Sequence, residues 1–348
     1  MKPSVSIVIC TEKGFLEKQS ILFVRSLREF GGRFQDVHVY CYSPRAAGYP
    51  SSSTITELER LNAVVVRKDL NTQFPDYPFS NKIFACNEIS QRDESEQLCF
   101  VDSDQVILNQ PDFLELSAGT DAAFRPVDTA TSIGAADSSS RNWPFWVAMF
   151  ESLGVTELPY VETTVDRKRI LAYYNTGLVI ARREKRLFEA WHDNFLNLME
   201  KEIHPADGIK FIEQAAMGAA AHGLRLNIEI LPTEYNYPLP WHEKIPVDGQ
   251  AMRLNELVVG HYHRMFNAPA RQHPLESLFG DDEQSCWLRS QLAELEMYPH
   301  RFAYRLQFTK AQVLKRMKQK LGMLLEQDSR HVEKVGRGSG DTNGDPIV

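Results

Sequence analysis

The stretch Gln97-Leu98-Cys99-Phe100-Val101-Asp102-Ser103-Asp104-Gln105-Val106-Ile107 decides how the chain is read. An apolar run stops abruptly at two aspartates one residue apart, and the chain then turns apolar again. Leu, Cys, Phe and Val in succession describe a strand buried on both faces. Such a strand cannot carry two carboxylates inside it, because an unpaired buried charge costs several kcal/mol or more. Asp102 and Asp104 therefore belong at its exit, where solvent or a cation reaches them. Residues two apart on an extended chain point the same way, so both carboxylates can face one hard, oxygen-seeking ion such as Mg²⁺ or Mn²⁺. The plainer alternative is a solvated turn.

Upstream of this stretch, strand-like and helix-like patterns alternate. Val5 to Cys10 is a short β-branched run, and Thr11-Glu12-Lys13-Gly14 breaks it. From Phe15 to Phe30 the apolar residues Ile21, Leu22, Val24, Leu27 and Phe30 follow helical spacing, and Gly31-Gly32 closes the helix. A strand over Asp36 to Tyr42, a short helix over Ser53 to Leu61 and a strand over Asn62 to Val66 follow. Strands separated by helices imply an open α/β sheet of mainly parallel strands, with ligands beyond the carboxyl ends. Thr11 and Glu12 lie at one such end, and Asp102 and Asp104 at another. No GxGxxG follows the first strand and no GxxxxGK[ST] occurs anywhere, which removes the usual dinucleotide and P-loop readings. Phe74 to Phe79 reads as a loop. A helix then starts at Ser80-Asn81-Lys82, where Lys82 either reaches a phosphate or is a solvated helix lysine.

Downstream, Asp121 to Phe124 reads as a strand and residues 132–167 as irregular; there Trp143 and Trp146 either pack inward at the start of a helix over Phe145 to Leu153 or form an exposed aromatic surface for a sugar or lipid. A strand from Tyr173 opens with Asn175-Thr176-Gly177. Gly weakens strands, so it marks a bulge or turn, or the close approach of a ligand that the Asn175 amide could bind. Helices are expected over Arg182 to Glu200 and Ile209 to His222; the second carries Glu213-Gln214 among small apolar residues. Leu226 to Leu231 is a late strand, and Leu257 onward a last one ending in His261-Tyr262-His263-Arg264. His261 and His263 face one way, as the two aspartates do. A helix over Ser285 to Glu296 closes the ordered pattern.

The chain has 348 residues, 43% hydrophobic and 24% charged, which is globular composition. A net charge of −7 argues against a nucleic-acid binder. The five cysteines are scattered without a CxxC pair, and Cys10, Cys41 and Cys99 read as small core residues of a reducing compartment. No signal-like or membrane-spanning run is visible, so the expected location is cytoplasmic. From Arg301 to Lys320 the chain is basic without an acid, and Leu314, Met317, Leu321 and Leu324 share a helical face. That describes either peripheral contact of residues 301–325 with the inner membrane face or a helix packed on an acidic body. Residues from Ser329 are polar and Gly-rich and are expected to be disordered.

Taken together, Phe100-Val-Asp102-Ser-Asp104, Tyr174-Asn175-Thr-Gly177, Glu213-Gln214, Leu231-Pro232-x-x-Tyr235-Asn236 and Gly260-His261-Tyr262 resemble, in this order, the GT-A nucleotide-sugar glycosyltransferases. They most resemble glycosyltransferase family 8, the class of glycogenin and the bacterial lipopolysaccharide galactosyl- and glucosyltransferases. The resemblance covers roughly residues 4–265 and implies a Rossmann-like GT-A fold of mixed, mainly parallel sheet flanked by helices. The expected organisation is a catalytic domain over 1–270, a helical C-terminal extension over 271–328 and a tail over 329–348. The implied activity is hexosyl transfer from a nucleotide diphosphate, UDP in most members, to a glycan or lipid-linked acceptor, with retention of configuration. By the same resemblance Asp102, Asp104 and His261 hold Mn²⁺ (or Mg²⁺) against the diphosphate, and Thr11-Glu12 faces the base. Lys82, Ser103, Gly177 and Arg264 complete the donor site, while Asn175, Glu213 and Gln214 stand near the transferred sugar. The chain departs from the family in two places. Glu213-Gln214-Ala215 replaces the usual Asp-Gln-Asp, and the Lys that follows the last His is absent, which leaves its role to Arg264 or Arg271. Two other readings of the same parts are a sugar nucleotidyltransferase, which would carry a richer Gly loop after the first strand, and a non-catalytic sugar-binding scaffold.

Overall fold

The computed structural model describes residues 4–245, 252–266 and 278–297. All lie in one compact unit, residues 1–298. The expectations for residues 301–325 and for the tail, and the alternative donor contact at Arg271, fall outside the described residues.

In chain order the regular elements are β1 (Val5–Cys10), α1 (Phe15–Phe30), β2 (His38–Ser43), α2 (Ser52–Arg60), β3 (Ala63–Arg67), α3 (Asn81–Ser90), β4 (Gln97–Val101), β5 (Gln105–Ile107) and β6 (Ala122–Pro126). They continue with α4 (Trp143–Ser152), β7 (Tyr160–Glu162), β8 (Arg169–Leu171), β9 (Tyr174–Arg182), α5 (Leu187–Glu200), α6 (Ile212–Gly223), β10 (Ile228–Ile230), β11 (Tyr237–Pro238), β12 (Val259–His261) and α7 (Glu283–Glu294).

The central sheet has seven strands in the order β10-β6-β9-β4-β1-β2-β3. β1 pairs parallel with both β2 and β4, β2 with β3, and β6 with β10. Only β9 runs against its neighbours β4 and β6. The sheet is thus mixed and mainly parallel, as the alternation of strands and helices requires. Its inner strands β1, β4, β6 and β9 are buried on both faces, so they carry apolar residues at most positions, while the edge strands β3 and β10 are partly exposed. In β4, Leu98 and Phe100 join the core shared with α3, α4, α5 and α6, while Cys99 and Val101 join the core beneath α1 and α2. Phe100 is thereby in contact range of Trp191, with their rings 6.4 Å apart.

β5 does not belong to this sheet. It pairs antiparallel with β12, which pairs in turn with β11, in a second sheet of three strands. The last strand therefore belongs to this second sheet and not to the central one. Beneath the small sheet, Leu288 and Leu292 of α7 pack with Val106, Tyr237, Leu239 and Tyr262. The chain crosses from one sheet to the other at Asp102-Ser103-Asp104.

Other differences from the sequence pattern are local. The helix expected from Arg182 starts at Leu187, because β9 runs on to Arg182 and Arg183–Lys185 form a single 3₁₀ turn. Arg186 then takes a left-handed conformation, φ 57°, which resets the chain direction. The helix expected from Ile209 likewise starts later, at Ile212, after Phe211 at φ 67°. The 132–167 stretch holds α4 and β7, which pairs antiparallel with β8 just beyond it. Trp146 packs inward as expected, with its indole N–H donating to the Ile133 carbonyl at 2.6 Å. Cys41 and Cys99 are core residues, whereas Cys10 is half-buried and reaches a cleft.

Candidate active site

At the carboxyl ends of β1 and β4 a cleft of about 750 Å³ opens. Glu12, Lys13, Gln19, Arg45, Asn81, Lys82, Asp102, Ser103, Asp104, His263 and Arg264 all line it. Most come from element ends or the loops beside them, and Gln19 comes from the second turn of α1.

Sheet pairing explains how Asp104 meets a histidine 157 residues away. β12 lies antiparallel to β5, with His261 opposite Gln105. The Tyr262 N–H donates to the Asp104 carbonyl at 3.0 Å and continues that register. His261 Nε2 then stands 3.1 Å from Asp104 Oδ1. His263 folds back over it, with the two rings 3.7 Å apart. Ligand atoms of Asp104, His261 and His263 all lie within 4.8 Å of one another.

The hydrogen bonds around His261 fix which nitrogen carries its proton. Asn175 Oδ1 accepts from the Gly177 N–H at 2.7 Å, so it is an oxygen, and Asn236 Nδ2 donates to it at 3.1 Å. Asn236 Oδ1 therefore faces Gln105 Nε2 and His261 Nδ1, both at 2.9 Å. His261 Nδ1 is the donor of that last bond, which leaves Nε2 aimed at a carboxylate oxygen. In a neutral imidazole two lone pairs would face each other there, so a proton or a cation must lie between them. Burial lowers the His261 pKa, but the charge and hydrogen bond of Asp104, with the charges of Asp102 and Asp128, together raise the group. Burial would raise Asp104, yet His261 holds that carboxyl well below its usual range. One carboxylate oxygen and two imidazole nitrogens suit a borderline divalent ion such as Mn²⁺ better than Mg²⁺.

Asp102 turns elsewhere. Its Oδ1 is 2.7 Å from Lys82 Nζ. The ammonium also sits 5.1 Å from the Phe100 ring centroid and donates to Thr176 Oγ1 at 3.4 Å. Burial would lower the Lys82 pKa, but Asp102 and Glu213 hold it above its ordinary value. Burial raises the Asp102 carboxyl; Lys82 pulls the other way and Asp104 adds to the rise.

Glu12 is clamped by Arg45, whose Nε donates to Oε1 at 2.8 Å while Nη2 bonds Oε2. Thr11 lies behind the cleft, its hydroxyl donating to Ser20 Oγ at 2.8 Å. Gly177 is where it is because His261 is so close. A Cβ there would lie 2.7 Å from His261 Cε1 and 2.9 Å from Gln105 Nε2. The groups that crowd this glycine are thus protein side chains.

Glu213 is 0% exposed and does not line the cleft. Its Oε2 accepts from the Tyr77 hydroxyl, its Oε1 has no partner among the described residues, and burial raises its pKa. Asn175 stands one step back, in the network that holds His261, and Gln214 is half-buried on α6 without lining the cleft. Three contributors escaped notice as site residues in the sequence. Gln19 looks like the polar face of an amphipathic helix, and Arg45 like an ordinary loop arginine. Asn81 draws no notice beside Lys82. For Asn81, its place immediately before that lysine at a helix start was a usable signal.

A family model described as the Rhodobacterales glycosyltransferase domain matches residues 7–225. The match spans β1 to α6 and includes Asp102 and Asp104, while His261 and His263 lie beyond it. Among solved structures, mouse xyloside xylosyltransferase 1 in its apo form is similar with 10% identity and a TM-score of 0.44, over 74% of this chain and 98% of that one. The glycosyltransferase GlyE of Streptococcus pneumoniae TIGR4 is similar with 13% identity and a TM-score of 0.47, over 88% of this chain and 64% of that one. No curated protein matches the sequence.

Proposed function

The chain belongs to the Rhodobacterales glycosyltransferase domain family and is a glycosyltransferase; from that premise we propose that it moves a hexose from a UDP-sugar to a glycan or lipid-linked acceptor in a Mn²⁺-dependent reaction. The observation that carries this reading is the cluster of Asp104, His261 and His263 inside the cleft. These three residues would hold the ion, with Asp102 as a further carboxylate lining the same cleft. Bound there, the ion supplies Lewis acidity that stabilises charge on the leaving diphosphate.

The protein groups have separable tasks. Lys82 holds Asp102 in place and adds positive charge beside the diphosphate. Arg264, at the cleft wall, stands in for the lysine that family 8 places after its last histidine. Glu12, fixed by Arg45, presents its carboxylate toward the base, and Thr11 braces that loop from behind. Asn175 acts through Asn236 on His261, as well as near the sugar. Gln214 and, through Tyr77, Glu213 support the sugar end from behind the cleft wall. Retention of anomeric configuration follows from the resemblance to family 8.

The direct test incubates the protein with a panel of UDP-sugars with and without Mn²⁺, following UDP release and binding heat. Metal-dependent binding or donor hydrolysis is expected for at least one sugar. No metal-dependent signal with any of them overturns the proposal.

Gly177→Ala tests the ligand cluster without touching a ligand. The added methyl has no room beside His261 and forces the ring aside, at a cost of about 1–3 kcal/mol in stability. Mn²⁺ affinity, read by electron paramagnetic resonance, is expected to fall about 10- to 100-fold, the range seen when a ligand's support is lost. Unchanged affinity would remove His261 from the site.

A further inference from the structure

Asn81 is the first residue of α3 and is only 3% exposed, yet its side chain lines the cleft. Asn71 decides which way its amide faces. Asn71 Oδ1 accepts from the Phe74 N–H at 3.2 Å, which orients that amide and leaves Nδ2 as the donor. Asn71 Nδ2 then donates to Asn81 Oδ1 at 2.8 Å and to Ser80 Oγ at 3.0 Å. Asn81 Oδ1 is thereby committed to the protein. Its Nδ2, a donor with two hydrogens, makes no hydrogen bond among the described residues. That donor opens on the cleft rather than being sealed in the protein, so an incoming acceptor can reach it.

The end of α3 around it is also uncapped. Ser80 occupies the N-cap position, but its hydroxyl donates to the Tyr77 carbonyl at 2.7 Å rather than accepting from the helix. α3 continues the 3₁₀ turn Pro78–Ser80, with the Asn81 N–H donating to the Pro78 carbonyl, so the positive end of the joined helix lies at Pro78, which also lines the cleft. Lys82, the next residue, brings an ammonium to the same wall. Helix end, amide donor and ammonium agree in sign, and all three suit an anion.

We infer that Asn81 Nδ2 donates a hydrogen bond to an oxygen of the donor's diphosphate, so that the start of α3 holds the leaving group together with the Asp104–His261–His263 cluster. This rests on the reading of the cleft as a nucleotide-sugar site. Asn71 is then a positioning residue that keeps the Asn81 oxygen out of the cleft, where it would repel a phosphate.

The test uses an isosteric pair of atoms. In Asn81→Asp the bond from Asn71 survives, because the retained oxygen still accepts, while the atom facing the cleft changes from donor to anion. Titration calorimetry of the full chain with UDP and with uridine, both with Mn²⁺, reads the result. Asn81→Ala is expected to weaken UDP binding about 10- to 100-fold, the range for a lost bond to a charged group. Asn81→Asp is expected to weaken it further. Uridine binding should change less than threefold in both variants, and Mn²⁺ binding alone should not weaken. UDP affinity within threefold of wild type in both variants overturns the inference, and an equal loss for uridine moves the contact to the nucleoside and overturns it too. Failure of the wild type to bind UDP with Mn²⁺ would instead overturn the reading of the cleft.

Discussion

In Asp104→Asn, metal-dependent glycosyl transfer falls by about three orders of magnitude while the protein stays folded. The size follows from the charge the ligand brings. A metal acting as Lewis acid supplies several kcal/mol of transition-state stabilisation, and about 4 kcal/mol is a factor of about 10³. Asparagine keeps the shape of the side chain but removes the anion that faces His261 Nε2 at 3.1 Å. The fold survives because the part of Asp104 that builds it is the backbone: its carbonyl accepts the Tyr262 N–H at the junction of the two sheets. The side chain is 24% exposed to the cleft and carries no core packing. Loss of the Mn²⁺ signal in electron paramagnetic resonance should accompany the loss of turnover. A variant with turnover within threefold of wild type and normal metal binding would exclude Asp104 as a ligand.

The part of this site that the sequence makes legible is the part set by burial. β4 must be apolar on both faces, so its end is marked by the first charged residue, and Asp102 and Asp104 are found without any knowledge of the fold. The same rule finds β1, β2 and β3, whose neighbours in sequence are their neighbours in the sheet. It fails for β12. A short apolar run says that a strand is buried but not which sheet buries it, and β12 pairs with β5 rather than with the central sheet. The closeness of His261 to Asp104 is a consequence of that pairing. Only the order of the motifs, through the resemblance to a known family, hinted at it.

The support around the ligands is illegible for a different reason. Asn236 and Gln105 act by hydrogen bonds whose partners lie far along the chain, and a buried polar residue with a distant partner looks the same in sequence as an exposed one. Glu213 illustrates the converse error. A carboxylate among small apolar residues reads as a group facing substrate, but it lies behind Tyr77, with burial raising its pKa. Helix starts were misplaced at Leu187 and Ile212 because left-handed turns at Arg186 and Phe211 use residues that carry no turn signal.

Lys82→Met is expected to lower both stability and turnover, and the double variant Lys82→Met/Asp102→Asn separates the two effects. Lys82 is 7% exposed and joined to Asp102 at 2.7 Å. Methionine matches its length and keeps the packing against Phe100, so what is lost is the charge. Breaking a fully buried pair costs about 3–5 kcal/mol, because the remaining charge is left uncompensated. Asp102 is 26% exposed, which lets solvent take up part of the loss, and about 2–3 kcal/mol is the expected drop. Neutralising Asp102 as well removes the orphaned charge, so the double variant should regain most of that stability in urea titrations. It should not regain turnover. A lysine needed only to stabilise Asp102 would become dispensable once Asp102 is neutral, leaving the double variant no worse than Asp102→Asn alone. A lysine that also adds positive charge beside the diphosphate stays missing, and the double variant should fall a further 10- to 100-fold below Asp102→Asn, about what one charged hydrogen bond is worth. Equal turnover in Asp102→Asn and the double variant would restrict Lys82 to holding the carboxylate.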